Sequence, residues 1–490
     1  MATETLDAGK TTYDNELKDW VNRKRAAISL MHAIGKLMYE KSVELVLFRN
    51  PLLDTNISEI LNLHVYAREV VNRPIEVYDS AELAELLLTF DLAPAKIDIG
   101  RLANEWHTEK AKFASKEEFL RSKLTNFIGH QTSSDIEPKD VVLYGFGRIG
   151  RLAARELIKQ AGKGQQLRLR AIVTRDRDKS MISKRAALLR NDSVHGVFHG
   201  TVVEDLGNEQ LIINGQIVQM ICADQPEDVD YTAYGIDNAL VIDNTGKFTD
   251  AESLGRHLKA KGVSKVLLTA PGKEMPNIVY GINHKELDID STELFSAASC
   301  TTNAICPVLK VIEDKIGIEK GHIETVHAYT NDQNLLDNMH KKTRRGRSAA
   351  INMVITETGA GRAVTKVIPQ LKDKLTANAV RVPTPNGSLA IMHLSVNRET
   401  SLEEVNGYLR DAALRGDLVN QINFSIDEEL VSNDIIGNTC CSVYDSPATI
   451  VSPDKKNVVL YVWYDNEFGY TKQVLRLAKH IAKVQRLVYY

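Results

Sequence analysis

No apolar run in this sequence comes near the roughly 18 residues that cross a membrane as a helix. The opening stretch, MATETLDAGKTTYDNELKDW, is polar and acidic, without the basic-then-apolar layout of a secretory signal. The cytoplasm is the expected location and no membrane contact is foreseen. Cysteine is scarce. The five, at positions 222, 300, 306, 440 and 441, are odd in number and form no CxxC pair, which fits neither a disulfide framework nor a zinc ribbon. A reducing compartment is expected, and no metal site. Charge of either sign is not in excess, since Lys+Arg 61 against Asp+Glu 64 leaves a net charge of -3. The field of the whole chain therefore offers no general attraction for nucleic acid or anionic lipid, and any anion site must be local. Internal repeats and low-complexity tracts are also missing.

At 490 residues, and with about 150 residues per domain, the chain suggests about three folding units. Hydrophobic residues at 43% and charged residues at 26% allow a sizeable core and exclude wholesale disorder. From about residue 12 to 131 the pattern is helical. Leu17, Val21, Ile28, Met31 and Met38 fall on one face, read as a packing face between helices, and Pro51, Pro74 and Pro94 punctuate the segment. Strand-like alternation is hard to find there, so residues 1–135 read as an all-α N-terminal extension. The stretch QTSSDIEPKD (131–140) is short, polar and contains a proline, as a boundary should. Beyond it, VVLYG (141–145), LRLRAIV (167–173), ALVIDNTG (239–246) and VSKVLLTAP (263–271) read as buried strands, with RLAARELIKQ (151–160) as a helix. Strands alternating with helices imply an α/β fold with a Rossmann-type parallel sheet, assigned to 136–299. HIETVHAYT, SLAIMHLSV and VVLYVWYDN alternate with amphipathic stretches, so 300–465 reads as an α+β domain with a mixed or antiparallel sheet and helices on one face. TKQVLRLAKHIAKVQRL reads as a C-terminal helix, and 466–490 is expected to return to the Rossmann domain.

Two motifs carry chemistry. Gly145-Phe-Gly147-Arg-Ile-Gly150 follows a strand and opens a helix. Glycines there permit a tight turn, let backbone approach a pyrophosphate and allow close helix–strand packing, while the helix N-terminus offers unpaired N–H donors. A dinucleotide is expected here. The acid that would hold the adenosine ribose belongs at the end of the second strand, and Asp176 is the candidate, although Arg175 and Arg177 beside it could equally receive a 2′-phosphate. NAD is the favoured cofactor and NADP is left open. The second motif is Ser299-Cys300-Thr301-Thr302-Asn303, followed by apolar Ile305, Val308, Leu309 and Ile312 at helical spacing. A lone cysteine is usually a small buried hydrophobe. This one sits beside three hydroxyls and an amide at or near a helix N-terminus, which favours thiolate and nucleophilicity. Pro307 argues for a helix that starts later or bends there. A cysteine nucleophile needs a base, and His327 at the end of a strand, with Thr330 after it, is one of thirteen histidines available.

GFGRIGR, DNTG, SCTTN, HAYTNDQ, TETGAGRAV, RVPTPN and WYDNEFGY occur here in the order seen in phosphorylating glyceraldehyde-3-phosphate dehydrogenases, and from about residue 140 onward the chain resembles that family. The helical extension lies outside the family's usual pattern. The resemblance implies Cys300 as nucleophile and His327 as base. It implies Thr330 and Arg381 for the substrate phosphate, and Ser299, Thr301, Thr358 and Gly359 for inorganic phosphate, with Arg345 bordering both. Cofactor contacts carry over to Gly145, Gly147, Arg148, Ile149, Gly150, Thr245, Gly246, Thr269, Asn466 and Tyr470. The product would be 1,3-bisphosphoglycerate, in glycolysis or, reversed, in gluconeogenesis, and a homotetramer would be expected. Departures are Tyr144 before the first glycine, Thr174-Arg175-Asp176 in place of Asn-Asp at the second strand end, and Asn338-Met339 in place of Leu-Pro. Asp332 replaces a threonine of some members. Within the enzyme class erythrose-4-phosphate dehydrogenase is the alternative. Outside it stands an RNA-binding or scaffold protein on the same fold, suggested by the run Lys341, Lys342, Arg344, Arg345 and Arg347. That run has no interleaved aromatics, and nucleic acid is not expected as a partner.

Overall fold

The computed structural model describes residues 2–71, 73–129 and 136–490, with side chains outside the description at 2–11 and 69. The chain forms two compact units, 1–136 with 485–490, and 137–484. Residues 131–135 of the expected boundary lie outside the described residues.

The first unit is helical as expected, with helices Ala2–Lys41, Ile57–Val71, Val77–Leu88, Ile99–Glu109 and Lys116–Lys123. It is not all-α. Strands Asn50–Pro51, Val43–Leu47, Ala95–Asp98 and Leu487–Tyr489 make a small sheet in that order, parallel except for the first pair. VELVL is buried at nearly every position, so it shows none of the alternation that betrays a half-exposed strand. Its outermost partner comes from the far end of the chain, which no local pattern reveals. The long helix also buries a different face from the one expected. Ala27, Leu30, Ala33, Ile34 and Leu37 are buried, Met31 and Met38 share in the packing, and Leu17, Val21 and Ile28 are exposed. The two stripes lie side by side, and the alanines, which let a helix sit close to its neighbours, decide between them.

The second unit carries an eight-stranded sheet in the order 294–296, 263–268, 239–243, 139–144, 167–174, 216–222, 210–213, 202–205. The first six strands are parallel and the last two antiparallel. From strand 139–144 the chain first builds outward through 167–174 and then crosses back to 239–243 on the other side. The strand order thus reverses between 139–144 and 239–243, and the crevice at their carboxyl ends is where open α/β sheets take ligands. The second sheet, in the order 354–356, 375–382, 318–328, 388–396, 457–464, 442–445, 422–425, is mixed. Helices Cys300–Lys315, Ala360–Val367 and Leu402–Leu414 bury Leu309, Val364 and Leu409 in one cluster with Ile323 and Met392 of that sheet. The helix starts at Cys300, the N-terminal place expected for that residue, and runs on through Pro307, so of the two expectations raised by that proline the later start does not hold. The last helix is Phe468–Ile481 and stops short of the expected end, because residues 487–489 are the strand in the first unit's sheet.

Candidate active site

The strand Lys139–Tyr144 delivers Gly145 in the left-handed region at φ 92°, which glycine alone occupies freely. A Cβ on Gly145 would lie 2.9 Å from the Thr245 methyl, and one on Gly150 would lie 2.4 Å from the Gly145 carbonyl oxygen. These two glycines therefore allow turn, helix and crossing strand to touch. Gly147 caps the helix Arg148–Gln160 and has open space where a Cβ would stand. The first N–H groups of that helix, Arg148 and Ile149 among them, are without intrahelical partners. A cavity of about 310 Å³ opens beside the turn, lined among others by Tyr144, Gly147, Arg175, Asn244, Thr245 and Phe248. An open cradle, orphan N–H donors and a cavity at the switch point fit a dinucleotide.

Thr245 lines the cavity at the end of the neighbouring strand, and Gly246 follows it at φ 63°. Thr245 is held by Asp243, whose Oδ1 accepts from the Thr245 N–H at 2.8 Å and hydroxyl at 2.7 Å, while His257 Nε2 donates to Oδ2 at 2.9 Å. Asp243 and His257 are fully buried and were not singled out from the sequence. Thr269 donates through its N–H and its hydroxyl to the Asp243 carbonyl oxygen, at 3.0 Å each. Tyr144 packs edge-on against His257 at 4.6 Å between ring centres. The Arg148 side chain turns away to Glu467, which also takes His195 Nε2 at 2.9 Å. Burial works to raise the neighbouring Asp192 carboxyl. The His195 and Val194 N–H groups and Arg148 outweigh it and hold Asp192 down at about 2. Only the backbone of Arg148 is thus left for a ligand. Asp176 does not line the cavity. It lies in an adjoining recess, where Arg185 Nε donates to it at 2.7 Å.

Ser299 caps the helix Cys300–Lys315 by accepting from the Thr302 N–H at 3.0 Å, which puts Cys300 at the first helical position. Cys300 Sγ is 3.6 Å from His327 Nε2. His327 is the penultimate residue of strand Ile318–Ala328 and is buried, and its Nδ1 is 2.7 Å from the Ala328 carbonyl oxygen and 2.8 Å from Arg381 Nη1. Donation from Nδ1 to the carbonyl leaves Nε2 as a base towards the thiol. Acceptance at Nδ1 from Arg381 leaves an Nε2–H towards a thiolate. Burial pushes the Cys300 thiol up, against the pull of Arg381, and burial with Arg381 pulls the imidazole down to about 3. Burial thus opposes a charge on either group alone. Proton transfer within the pair leaves net charge unchanged, and Arg381, the backbone N–H groups at Thr301 and Cys300, and the helix N-terminus all favour the sulfur anion.

Arg381 Nη1 also donates to the Ala328 carbonyl at 2.8 Å and reaches Thr330 Oγ1 at 3.4 Å, while its buried Nε has no partner among the described residues. Thr330 donates to Asp332, which pairs with Arg345, and Arg345 Nε donates to Thr356 Oγ1 at 3.1 Å. Asp332, given no role from the sequence, is thus the counter-charge that holds Thr330 and Arg345 together. Thr301 bonds to the buried Tyr464 hydroxyl at 3.1 Å, and Thr358 Oγ1 accepts from the Ala360 N–H at 3.2 Å where Gly359 caps the helix Ala360–Val367. Among the described residues no hydrogen bond joins Thr358 or Gly359 to Ser299, Thr301 or Arg345. Asn466 Oδ1 accepts from Ser388, whose hydroxyl also accepts from the Ala328 N–H, so Asn466 and the His327 strand share one anchor. Tyr470 is buried, and its hydroxyl donates to the Ala298 carbonyl at 2.9 Å, two residues before Cys300.

Comparison with known proteins bears on this arrangement. Residues 139–251 match the glyceraldehyde 3-phosphate dehydrogenase NAD binding domain, and residues 299–466 match the C-terminal domain of the same family. A "glyceraldehyde-3-phosphate dehydrogenase-like protein" of Pseudomonas aeruginosa (strain UCBPP-PA14) is 48% identical over 454 residues, 92% of this chain and 98% of its own. The glyceraldehyde-3-phosphate dehydrogenase of Zymomonas mobilis is 41% identical over 345 residues, and glyceraldehyde-3-phosphate dehydrogenase 1 of Bacillus subtilis (strain 168) is 40% identical over 345, each covering 70% of this chain and 98% of the relative. The first alignment is longer than the second unit and takes in much of the first. The other two relatives are too short to hold counterparts of both units. No helix among the described residues is long and apolar enough to cross a membrane.

Proposed function

The chain belongs to the glyceraldehyde-3-phosphate dehydrogenase family, and from that premise we propose that it catalyses the reversible oxidation and phosphorylation of glyceraldehyde 3-phosphate to 1,3-bisphosphoglycerate. The observation that carries the proposal is the pairing of Cys300 Sγ with His327 Nε2 beside Arg381. Cys300 attacks the aldehyde carbon, and His327 Nε2 takes the thiol proton. The Cys300 N–H and the imidazole then steady the oxyanion of the thiohemiacetal. Bound NAD, the cofactor of the matched domain, supplies the hydride acceptor. The acyl group is left as a thioester on Cys300, and inorganic phosphate displaces it, with the sulfur as leaving group.

Arg381 and Thr330 hold the substrate phosphate by charge-assisted hydrogen bonds, and the orphan Nε of Arg381 is a donor waiting for such an anion. Ser299, Thr301, Thr358 and Gly359 form the second phosphate position, with Arg345 between the two. Both Ser299 and Thr301 hydroxyls have protein partners, so their remaining valences serve the ligand. With Asn466 Oδ1 taken by Ser388, its amide N–H group is free to orient the nicotinamide carboxamide, and Tyr470 borders the ring. Residues 136–299 bind the dinucleotide and 300–465 carry the chemistry. Family membership supports a homotetramer, checked by analytical ultracentrifugation, and a cytoplasmic location. The deciding test is steady-state kinetics with glyceraldehyde 3-phosphate, phosphate and NAD. Wild-type turnover that depends on phosphate and disappears in Cys300→Ser is expected. Higher kcat/KM for erythrose 4-phosphate, or NAD reduction unchanged in Cys300→Ser, would reject the proposal.

A further inference from the structure

We propose that the exposed apolar stripe of the N-terminal helix docks antiparallel against the same stripe of a second copy of this chain. The pairing does not depend on the chemistry at Cys300. From position 12 to position 26 the helix Ala2–Lys41 has no buried residue, and the first one that packs fully into its own unit is Ala27. About four turns of helix thus stand outside any core. An isolated helix of that length is marginal in water, and in folded proteins an apolar face packed on a neighbour holds it. This segment has such a face. Tyr13, Leu17, Trp20, Val21 and Ile28 fall within an arc of roughly 100° and are 40–67% exposed. Lys24 lies in the same arc with its ammonium 5.7 Å from the Trp20 ring centre, so its apolar stem continues the stripe.

The charges beside the stripe select its occupant. Asp14 and Glu16 flank it on its two sides, N-terminal to Trp20, while Arg25 and Arg23 flank it on the same two sides, C-terminal to Trp20. In an antiparallel pair of helices each flank meets its own counterpart. A two-fold axis near Trp20 therefore sets Asp14 against Arg25 of the partner subunit and Glu16 against Arg23 of the partner subunit, and the reverse by symmetry. Asp19 is already served within its own helix by Arg23 Nε at 2.8 Å, which leaves the outer nitrogens of Arg23 for the other chain. Lys18 falls opposite uncharged positions, Val21 and Asn22 of the partner subunit. The same axis brings the two copies of Trp20 together and lays Tyr13 over Ile28 of the partner subunit. A parallel pair would set acids beside acids and arginines beside arginines, which disfavours it. Exposed ion pairs fix the direction and contribute little affinity, and burial of the two apolar stripes supplies the rest. A helix that is acidic on one side of its central aromatic and basic at equal distances on the other is its own complement.

The test uses full-length protein carrying single cysteine substitutions and oxidised with diamide, and linked peptides are mapped by mass spectrometry so that disulfides through the exposed Cys222 are told apart. Trp20→Cys is expected to link to itself at least about tenfold faster than Asn15→Cys, which lies on the opposite side of the helix, because pairing raises the local thiol concentration. A mixture of Tyr13→Cys and Ile28→Cys should give the 13–28 disulfide in preference to 13–13 and 28–28. Leu17→Asp puts a charge into the paired stripe, and amide hydrogen exchange across positions 12–26 should then be at least about tenfold faster than in wild type. A 13–13 disulfide as the main product overturns the antiparallel pairing. Trp20→Cys linking no faster than Asn15→Cys, or equal exchange in Leu17→Asp and wild type, overturns the docking of a second copy. Binding to phosphatidylglycerol vesicles by wild type and not by Leu17→Asp, without a 20–20 disulfide, overturns it in favour of a membrane surface.

Discussion

Asp243 lies at the carboxyl end of a central strand, fully buried, and accepts three hydrogen bonds: two from Thr245 and one from His257. Asp243→Ala removes the acceptor and leaves the Thr245 N–H and hydroxyl and the His257 ring N–H to find others. Each buried donor left unpaired costs roughly 1–3 kcal/mol, and partial relaxation of the loop brings the expected total to about 3–5 kcal/mol. Asp243→Asn is gentler. Its remaining oxygen still serves Thr245, but its N–H group faces His257 Nε2, so the ring must carry its proton on Nδ1, which has no partner in place. That leaves one orphan donor, worth about 1–2 kcal/mol. Because Thr245 forms one lip of the cavity beside the glycine turn, both variants should also weaken 5′-AMP binding, in the same order. Urea unfolding followed by far-ultraviolet circular dichroism gives the stability difference, and calorimetry gives the nucleotide affinity. An Asp243→Ala cost below about 1 kcal/mol, or a nucleotide affinity equal to wild type, would refute the idea that this carboxylate builds the lip.

Other expectations follow from the same structure. Arg381→Leu should lower kcat/KM for glyceraldehyde 3-phosphate by about a hundredfold or more while affecting unphosphorylated glyceraldehyde far less, because the lost contact is to the phosphate; equal losses for the two substrates would contradict the role. Ser299→Ala removes the cap of the Cys300 helix and should cost about 1 kcal/mol of stability, measured by denaturant unfolding. Burial, helped by His480 and Lys285, lowers His284 to about 4, while its Nδ1 accepts from the Gly281 N–H. The native state therefore keeps this ring neutral where the unfolded chain takes up a proton, so its contribution is whole above pH 6.5 and is lost as pH falls from 6.5 towards 4. His284→Gln should flatten the acid limb of the stability curve in that window, and an unchanged limb would assign the loss to other groups.

The glycine turn and the Cys300 motif were legible because each is written in adjacent residues whose backbone demands are local. A Gly145 that must take φ 92° and a Ser299 that must cap a helix leave their signature in a few positions. His327 was legible only through the resemblance, since the strand that brings it to Cys300 pairs with segments fifty and more residues away. The partnerships of Asp243 with His257, of Glu467 with Arg148 and His195, and of Asp332 with Arg345 are set by tertiary burial, and a lone acid in a sequence does not announce its partner. The same holds for Asp176, the residue expected from its position to face the ribose, whose bond to Arg185 nothing in the sequence announced. In the first unit, helical periodicity was strong enough to show helices. The five-residue VELVL strand, buried on both faces, carried no period, and its sheet is completed from residues 487–489.

The most direct test is to mix the enzyme with glyceraldehyde 3-phosphate and NAD in the absence of phosphate, quench in acid and map the modified peptide by mass spectrometry. A 3-phosphoglyceroyl thioester on Cys300 is predicted. It should be discharged as 1,3-bisphosphoglycerate when phosphate is added, and form about a hundred- to ten-thousandfold more slowly in His327→Asn. An adduct on another residue, or full turnover with none on Cys300, would contradict the account.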